Sequence, residues 1–170
     1  MTRYVALVRA VNVGGTGRLP MTELKSMCDD AGFTRVETYM ASGNVVFDSK
    51  AAAIRVKSDL EARLLAYFDK PVGVVVRTAS EMVAVLGANP FRDLEPKHTY
   101  AIFLDRRPPR DALDHAVGQS GERTFLGDRE IFVHYPIGMG RSKLRIPAAT
   151  TGTARNMNTV AKLAEIASQP

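Results

Sequence analysis

The chain has 170 residues, 45% hydrophobic and 24% charged, which is enough for a core in one domain or two very small ones and excludes a disordered tail or a disulfide-stapled toxin. No apolar run approaches the roughly 20 residues that cross a bilayer, and Met1–Ala10 is followed by no small-residue cleavage pattern, so a cytoplasmic protein without membrane association is expected. The single cysteine, Cys28, rules out an internal disulfide and a multi-cysteine zinc site, while the formal charge of +5 suits polyanionic partners and ordinary bacterial enzymes alike.

Arg3–Arg9 reads as a first strand, apolar on both faces, running into the loop Ala10–Pro20. Leu24, Met27, Cys28 and Ala31 then mark a helix with Thr22 as N-cap and Gly32 as its stop. Phe33–Met40 and Val45–Asp48 form a hairpin about Ser42-Gly43-Asn44, whose glycine and asparagine tolerate positive φ. Ser49 opens a second helix with Ala53, Val56, Leu60, Leu64 and Tyr67 on one stripe, ended by Lys70-Pro71. A strand at Val72–Arg77 follows, and Thr78-Ala79-Ser80-Glu81 is a capping-box pattern that starts a helix over Ala79–Leu86. Gly87–Lys97 is the candidate boundary. Beyond it come a strand at Thr99–Leu104, a short helix after Pro108-Pro109, strands at Arg123–Leu126 and Glu130–Tyr135, a basic glycine-containing loop at Pro136–Thr153, and a final helix over Met157–Ser168. The two halves share an element order and no sequence identity. The fold expected is α+β, with helices packed on antiparallel or mixed sheets, in subdomains 1–88 and 98–170 joined by 89–97.

This topology has a functional consequence. A strand, a crossover helix and a second strand run the first two strands the same way, so their C-terminal ends share a sheet edge. That places the loop Asn12–Arg18 beside Ser42-Gly43-Asn44. Glycines let backbone N–H groups converge on an anion, and the helix N-terminus adds a positive dipole. Asn12, Gly14, Gly15, Arg18, Ser42 and Asn44 are therefore candidate ligand-binding residues, although the loop completes neither a Walker nor a dinucleotide motif, and a tight turn alone explains Gly43 and Asn44.

A second candidate lies near the C-terminus. From Ile131 onward Arg141, Lys143, Arg145, Arg155 and Lys162 face Glu165 alone, so +4 of the +5 sits in the last forty positions. Arg141, Lys143, Arg155 and Asn156, feeding into the last helix, form a candidate anion cradle; Asn156 or Asn158 could equally serve as a helix cap with the cations solvated. His98, His115 and His134 lack ligand spacing, and Cys28 on an apolar stripe is expected to be buried. The third strand carries only Phe47 as an aromatic, so the base-stacking platform of an RNA recognition motif is missing.

The opening LVRAVNVGGTGRLPMTELKSMCDDAGF, the segment TYMASGNVVFDS, Asn89-Pro90-Phe91, and the closing GRSKL with TARNMNTVAKLAEIA together resemble the bacterial family of domain of unknown function 1697. The likeness spans essentially the whole chain. It implies a cytoplasmic α+β protein of two ferredoxin-like subdomains, and it implies no activity. Two departures are visible: Thr16-Gly17 precede a single Arg18 where family members usually carry lysines, and Met157 stands where an aromatic is common.

The function expected from these residues is binding of a phosphorylated small ligand, with weak, non-specific nucleic-acid binding as a lesser partner. The alternative is a small enzyme on a phosphorylated metabolite whose catalytic residues the sequence does not name. Cofactors and oligomeric state are not indicated.

Overall fold

β-branched and aromatic residues paired across strands set the first half of the chain. In the computed structural model, which describes residues 1–14 and 17–170, β1 (Thr2–Val8), β2 (Thr34–Tyr39), β3 (Asn44–Ser49) and β4 (Val74–Thr78) form one sheet in the order β2-β3-β1-β4. Every neighbouring pair is antiparallel. β1 and β2 are both antiparallel to β3 and so run the same way without touching, and their C-terminal ends do share an edge. Helices α1 (Met21–Asp30) and α2 (Ala53–Phe68) are the crossovers. Tyr4, Ala6, Val8, Val45, Phe47, Val74 and Val76 form one core with Leu24, Met27 and Cys28 of α1 and Val56, Leu60 and Leu64 of α2. Phe33 stacks on Phe47 with ring centroids 4.4 Å apart. Each large apolar side chain so buried contributes about 1.5–3 kcal/mol. Val5, Leu7, Val46 and Val75, on the alternate positions, are buried too, which is why β1 is apolar on both faces and why the central strands β1 and β3 have no face open to bases.

The helix ends show local chemistry prevailing over the simplest reading. α1 begins directly after Pro20, without a side-chain cap, and Thr22 lies inside the helix rather than capping it. Its C-terminus is a Schellman motif: Gly32 has φ +81, and the N–H groups of Gly32 and Phe33 donate to Asp29 O (3.0 Å) and Cys28 O (3.1 Å). The lower stripe of α2 ends on half-buried Phe68, while Tyr67 is exposed and meets Phe68 edge-on at 4.9 Å. α3 (Ala79–Ala88) opens with the expected capping box, in which Thr78 N–H donates to Glu81 Oε2 (2.8 Å) and Glu81 N–H to Thr78 Oγ1 (3.2 Å).

The second half repeats the sheet. β5 (Thr99–Phe103), β6 (Arg123–Leu126), β7 (Glu130–His134) and β8 (Thr153–Asn156) lie in the order β6-β7-β5-β8, all antiparallel, before α4 (Met157–Ala167). The crossovers are 3-10 turns at Ala112–His115, Met139–Arg141 and Pro147–Ala149. β8 is absent from the sequence reading, which runs a loop into α4. Four residues, Thr-Ala-Arg-Asn, show little alternation of their own and become a strand by pairing with β5.

With β8 in place the halves correspond residue by residue. Val5 pairs with Val46 and Arg77, and Ala101 with Phe132 and Arg155; Leu7 pairs with Asn44, and Phe103 with Glu130. Arg77 and Arg155, and likewise Asn44 and Glu130, are thus equivalent buried polar residues. By contacts the chain divides into two compact units, Met1–Met82 with Leu163–Pro170, and Val83–Lys162.

Candidate functional site

At the end of the first sheet where β1 and β2 finish, residues 9–14 and 17–20 come together with 40–43 and 68–73. Val8 N–H donates to Gly43 O (2.8 Å) and Arg9 N–H to Gly73 O (2.9 Å). Among the described residues five non-glycines have left-handed backbone, and Ala10, Asn12, Met40 and Asp69 on these loops are four of them. The turn between β2 and β3 places positive φ at Met40 and Gly43, with Asn44 already in the strand. Such residues cost about 1–2 kcal/mol each and need surrounding structure to hold them. Glycine is required at Gly43, where φ is +86 and a Cβ would lie 2.8 Å from Val11 Cγ2.

Asn12 is the clamp. Its Nδ2 donates to Leu19 O (2.8 Å) and to Ala41 O, its Oδ1 accepts Leu19 N–H (2.8 Å), and its backbone N–H donates to Gly17 O (2.9 Å). One carboxamide therefore closes the glycine loop on itself and ties it to the hairpin. Asn44 is buried, and its Nδ2 donates to Tyr39 O (2.8 Å) and Ser42 Oγ (2.9 Å), so Asn44 and Ser42 shape the turn. Gly15 lies outside the described residues.

The surface left between these loops is a depression of about 710 Å³ lined by Asn12, Val13, Gly14, Gly17, Arg18 and Ala41. Arg18 is exposed and, among the described residues, has no ion pair. Gly14 has open space where a side chain would stand. The depression can offer an anion a guanidinium fork and backbone N–H groups. Its described lining carries one ionisable side chain, Arg18, and no carboxylate, histidine or cysteine.

The residues of the second candidate separate. Arg141 and Lys143 are exposed, as is Arg145. Arg155 is buried, its Nη1 donating to Thr153 Oγ1 (2.6 Å) and Ala154 O (2.9 Å), and burial lowers its pKa to about 10, which leaves it charged at neutral pH. Asn156 Oδ1 accepts Thr159 N–H (3.0 Å) and caps α4. Arg155 and Asn156 are therefore structural partners of β8 and α4 rather than members of the exposed basic group.

The left-handed Ala10 and Met40 have no marker in their residue types, so sequence reasoning missed the crowding of constrained backbone at this edge. Cys28 is buried and its thiol is pushed up to about 12, chiefly by desolvation, so it is no nucleophile at neutral pH. Among the described residues no helix is long and apolar enough to cross a membrane.

Comparison with solved structures finds a conserved bacterial protein, SP0830 from Streptococcus pneumoniae, at 23% sequence identity and a TM-score of 0.82, covering 99% of both chains. That likeness shows a shared fold. No curated protein matches. The family described as proteins of unknown function, DUF1697, matches residues 1–132, and the chain belongs to that family.

Proposed function

We propose that the protein binds a small phosphorylated anion in the depression at the edge of its first sheet. The observation that carries this reading is the convergence, on one clamped loop, of Arg18, which has no ion pair among the described residues, with the side-chain-free backbone at Gly14. Arg18 supplies the charge and a bidentate fork, and Gly14 supplies a backbone N–H group. Asn12, Ser42 and Asn44 hold the loop and the turn in place. No group in the described lining is suited to general acid or base work, so binding is favoured over catalysis. The buried alternate face of the first sheet argues against base stacking there.

Titration with inorganic pyrophosphate, followed by amide chemical shifts, tests this. Shifts at Gly14, Arg18 and Ala41 that are lost in Arg18→Ala, with folding unchanged, support it. Shifts confined to Arg141, Lys143 and Arg145, or none at millimolar pyrophosphate, overturn it.

A further inference from the structure

In the second unit, the connection between β7 and β8 presents its charges on a held backbone. Ser142 Oγ donates to Glu122 Oε1 (2.6 Å) and accepts Leu144 N–H (3.1 Å), while Arg145 and Val117 exchange both backbone hydrogen bonds (2.8 and 2.9 Å). Leu144 and Ile146 pack into the core with Ile102, Val133 and Tyr135. Gly118 has φ +73, and a Cβ there would lie 2.2 Å from Lys143 O, so the two segments approach as closely as backbone allows. With Ser142, Leu144 and Ile146 turned inward, Arg141 at the end of the 3-10 turn Met139–Arg141 and Lys143 and Arg145 on the extended chain after it are left exposed at every second position, the last two about 6–7 Å apart. Among the described residues none of the three has an ion pair.

Apolar side chains flank the cations. Ile137 (61% exposed) and Met139 (43%) precede Arg141 in a turn closed by Gly138 and Arg141 N–H donations, and Val117 (59%) is the bridge partner of Arg145. Of the five large hydrophobic residues exposed in Val83–Lys162, three sit on this strip. We propose that the strip docks an extended acidic segment of another protein. Alternate carboxylates would meet Arg141, Lys143 and Arg145, and flanking apolar side chains would cover Ile137 and Met139 at one end and Val117 at the other. An extended partner has the same two-residue period as Lys143 and Arg145, which gives the charge complementarity its register, with Arg141 at the end of the preceding turn to meet the next carboxylate. Arginine and methionine are enriched at protein interfaces. The flanking side chains are aliphatic, so they offer bases no stacking platform, and a second copy of this strip would repel the first. The proposal is independent of the anion site in the first unit.

The test uses the full chain and three fluorescent probes: a peptide with glutamates at three alternate positions flanked by leucine pairs, the same peptide with serines for leucines, and an oligothymidylate of equal charge. The leucine-flanked peptide is expected to bind tightest. The Arg141→Ser, Lys143→Ser, Arg145→Ser variant is expected to lose about tenfold in its affinity. Ile137→Ser with Met139→Ser should weaken the leucine-flanked probe and leave the serine-flanked one unchanged. Ser142→Ala, which keeps all three charges, should give a smaller loss. Equal binding of the two peptides, tighter binding of the oligothymidylate, or an unchanged affinity in the charge variant overturns the proposal.

Discussion

Replacing Asn12 with alanine removes three side-chain hydrogen bonds, two to Leu19 and one to Ala41, and leaves a Cβ-bearing residue at φ +57 with no side chain to favour it. Each bond contributes about 1 kcal/mol net, less where water reaches the groups, and an alanine in left-handed backbone costs about 1 kcal/mol more than asparagine there. The expected loss is about 2–3 kcal/mol in urea unfolding at 25 °C, with the m-value unchanged. Asn12→Gly separates the two contributions, because glycine loses the bonds and keeps the backbone freedom; it should recover about 1 kcal/mol of the loss. Faster hydrogen exchange at Leu19 N–H in both variants would locate the effect in the loop. The clamp reading fails if Asn12→Ala stays within about 0.5 kcal/mol of the parent, or if Leu19 exchange does not change.

Gly43→Ala should destabilise by about 2 kcal/mol or more, since φ is +86 and the new methyl meets Val11 and Val8 at 2.8 and 3.0 Å; adding Val11→Ala should recover part of that, which thermal unfolding would show. Cys28 should resist a thiol reagent at pH 8 until the protein unfolds. Its pKa rises from 9.0 to about 12 on folding, so above pH 9 the unfolded chain releases a proton that the folded chain keeps. The stability this group contributes is complete below pH 9 and is lost as pH climbs toward 12, and alkaline unfolding of Cys28→Ala should be less steep. Glu122 runs the other way. Hydrogen bonds from Ser142 Oγ and Ser120 N–H hold its pKa below the ordinary value, so its contribution is present above about pH 4.5 and falls away as acid protonates it; Ser142→Ala should flatten that acid-side loss in a pH series of unfolding midpoints.

Where local pattern and burial agree, the sequence was easy to read. β6 lies at Arg123–Leu126 as expected, and the Thr78–Glu81 box forms both of its reciprocal bonds. The shared edge of β1 and β2 followed from one crossover helix. Non-local pairing was harder to see. β8 exists because β5 offers it a partner, and the end of the α2 stripe fell on Phe68, which lies against Gly17, rather than on Tyr67. In the candidate sites the residue types gave the cations and glycines but not their commitments. Asn12, a candidate ligand that lines the depression, also clamps the loop, Arg155 looked like a surface cation and is buried, and the left-handed Ala10 and Met40 gave no signal.

The two halves show why that difference matters for function. Both sheets have the same strand order, yet the third and fourth strands are joined by the 16-residue α2 in the first half and by 3-10 turns and extended chain in the second. A helix packs one stripe against a sheet, and α2 does so with Val56, Leu60 and Leu64. Extended chain packs every other residue and turns the alternate ones to solvent. The second connector therefore buries Ile146, half-buries Leu144, and leaves Lys143 and Arg145 outside. Val83–Lys162 holds twelve Lys and Arg against eight Asp and Glu, so +4 of the formal +5 lies in this unit. Exchanging a helical connector for an extended one keeps the sheet and converts a packing surface into a charged one. On this argument, binding that depends on the exposed cations should fall steeply with salt, while binding at the clamped loop, where one guanidinium acts with backbone N–H groups, should fall little.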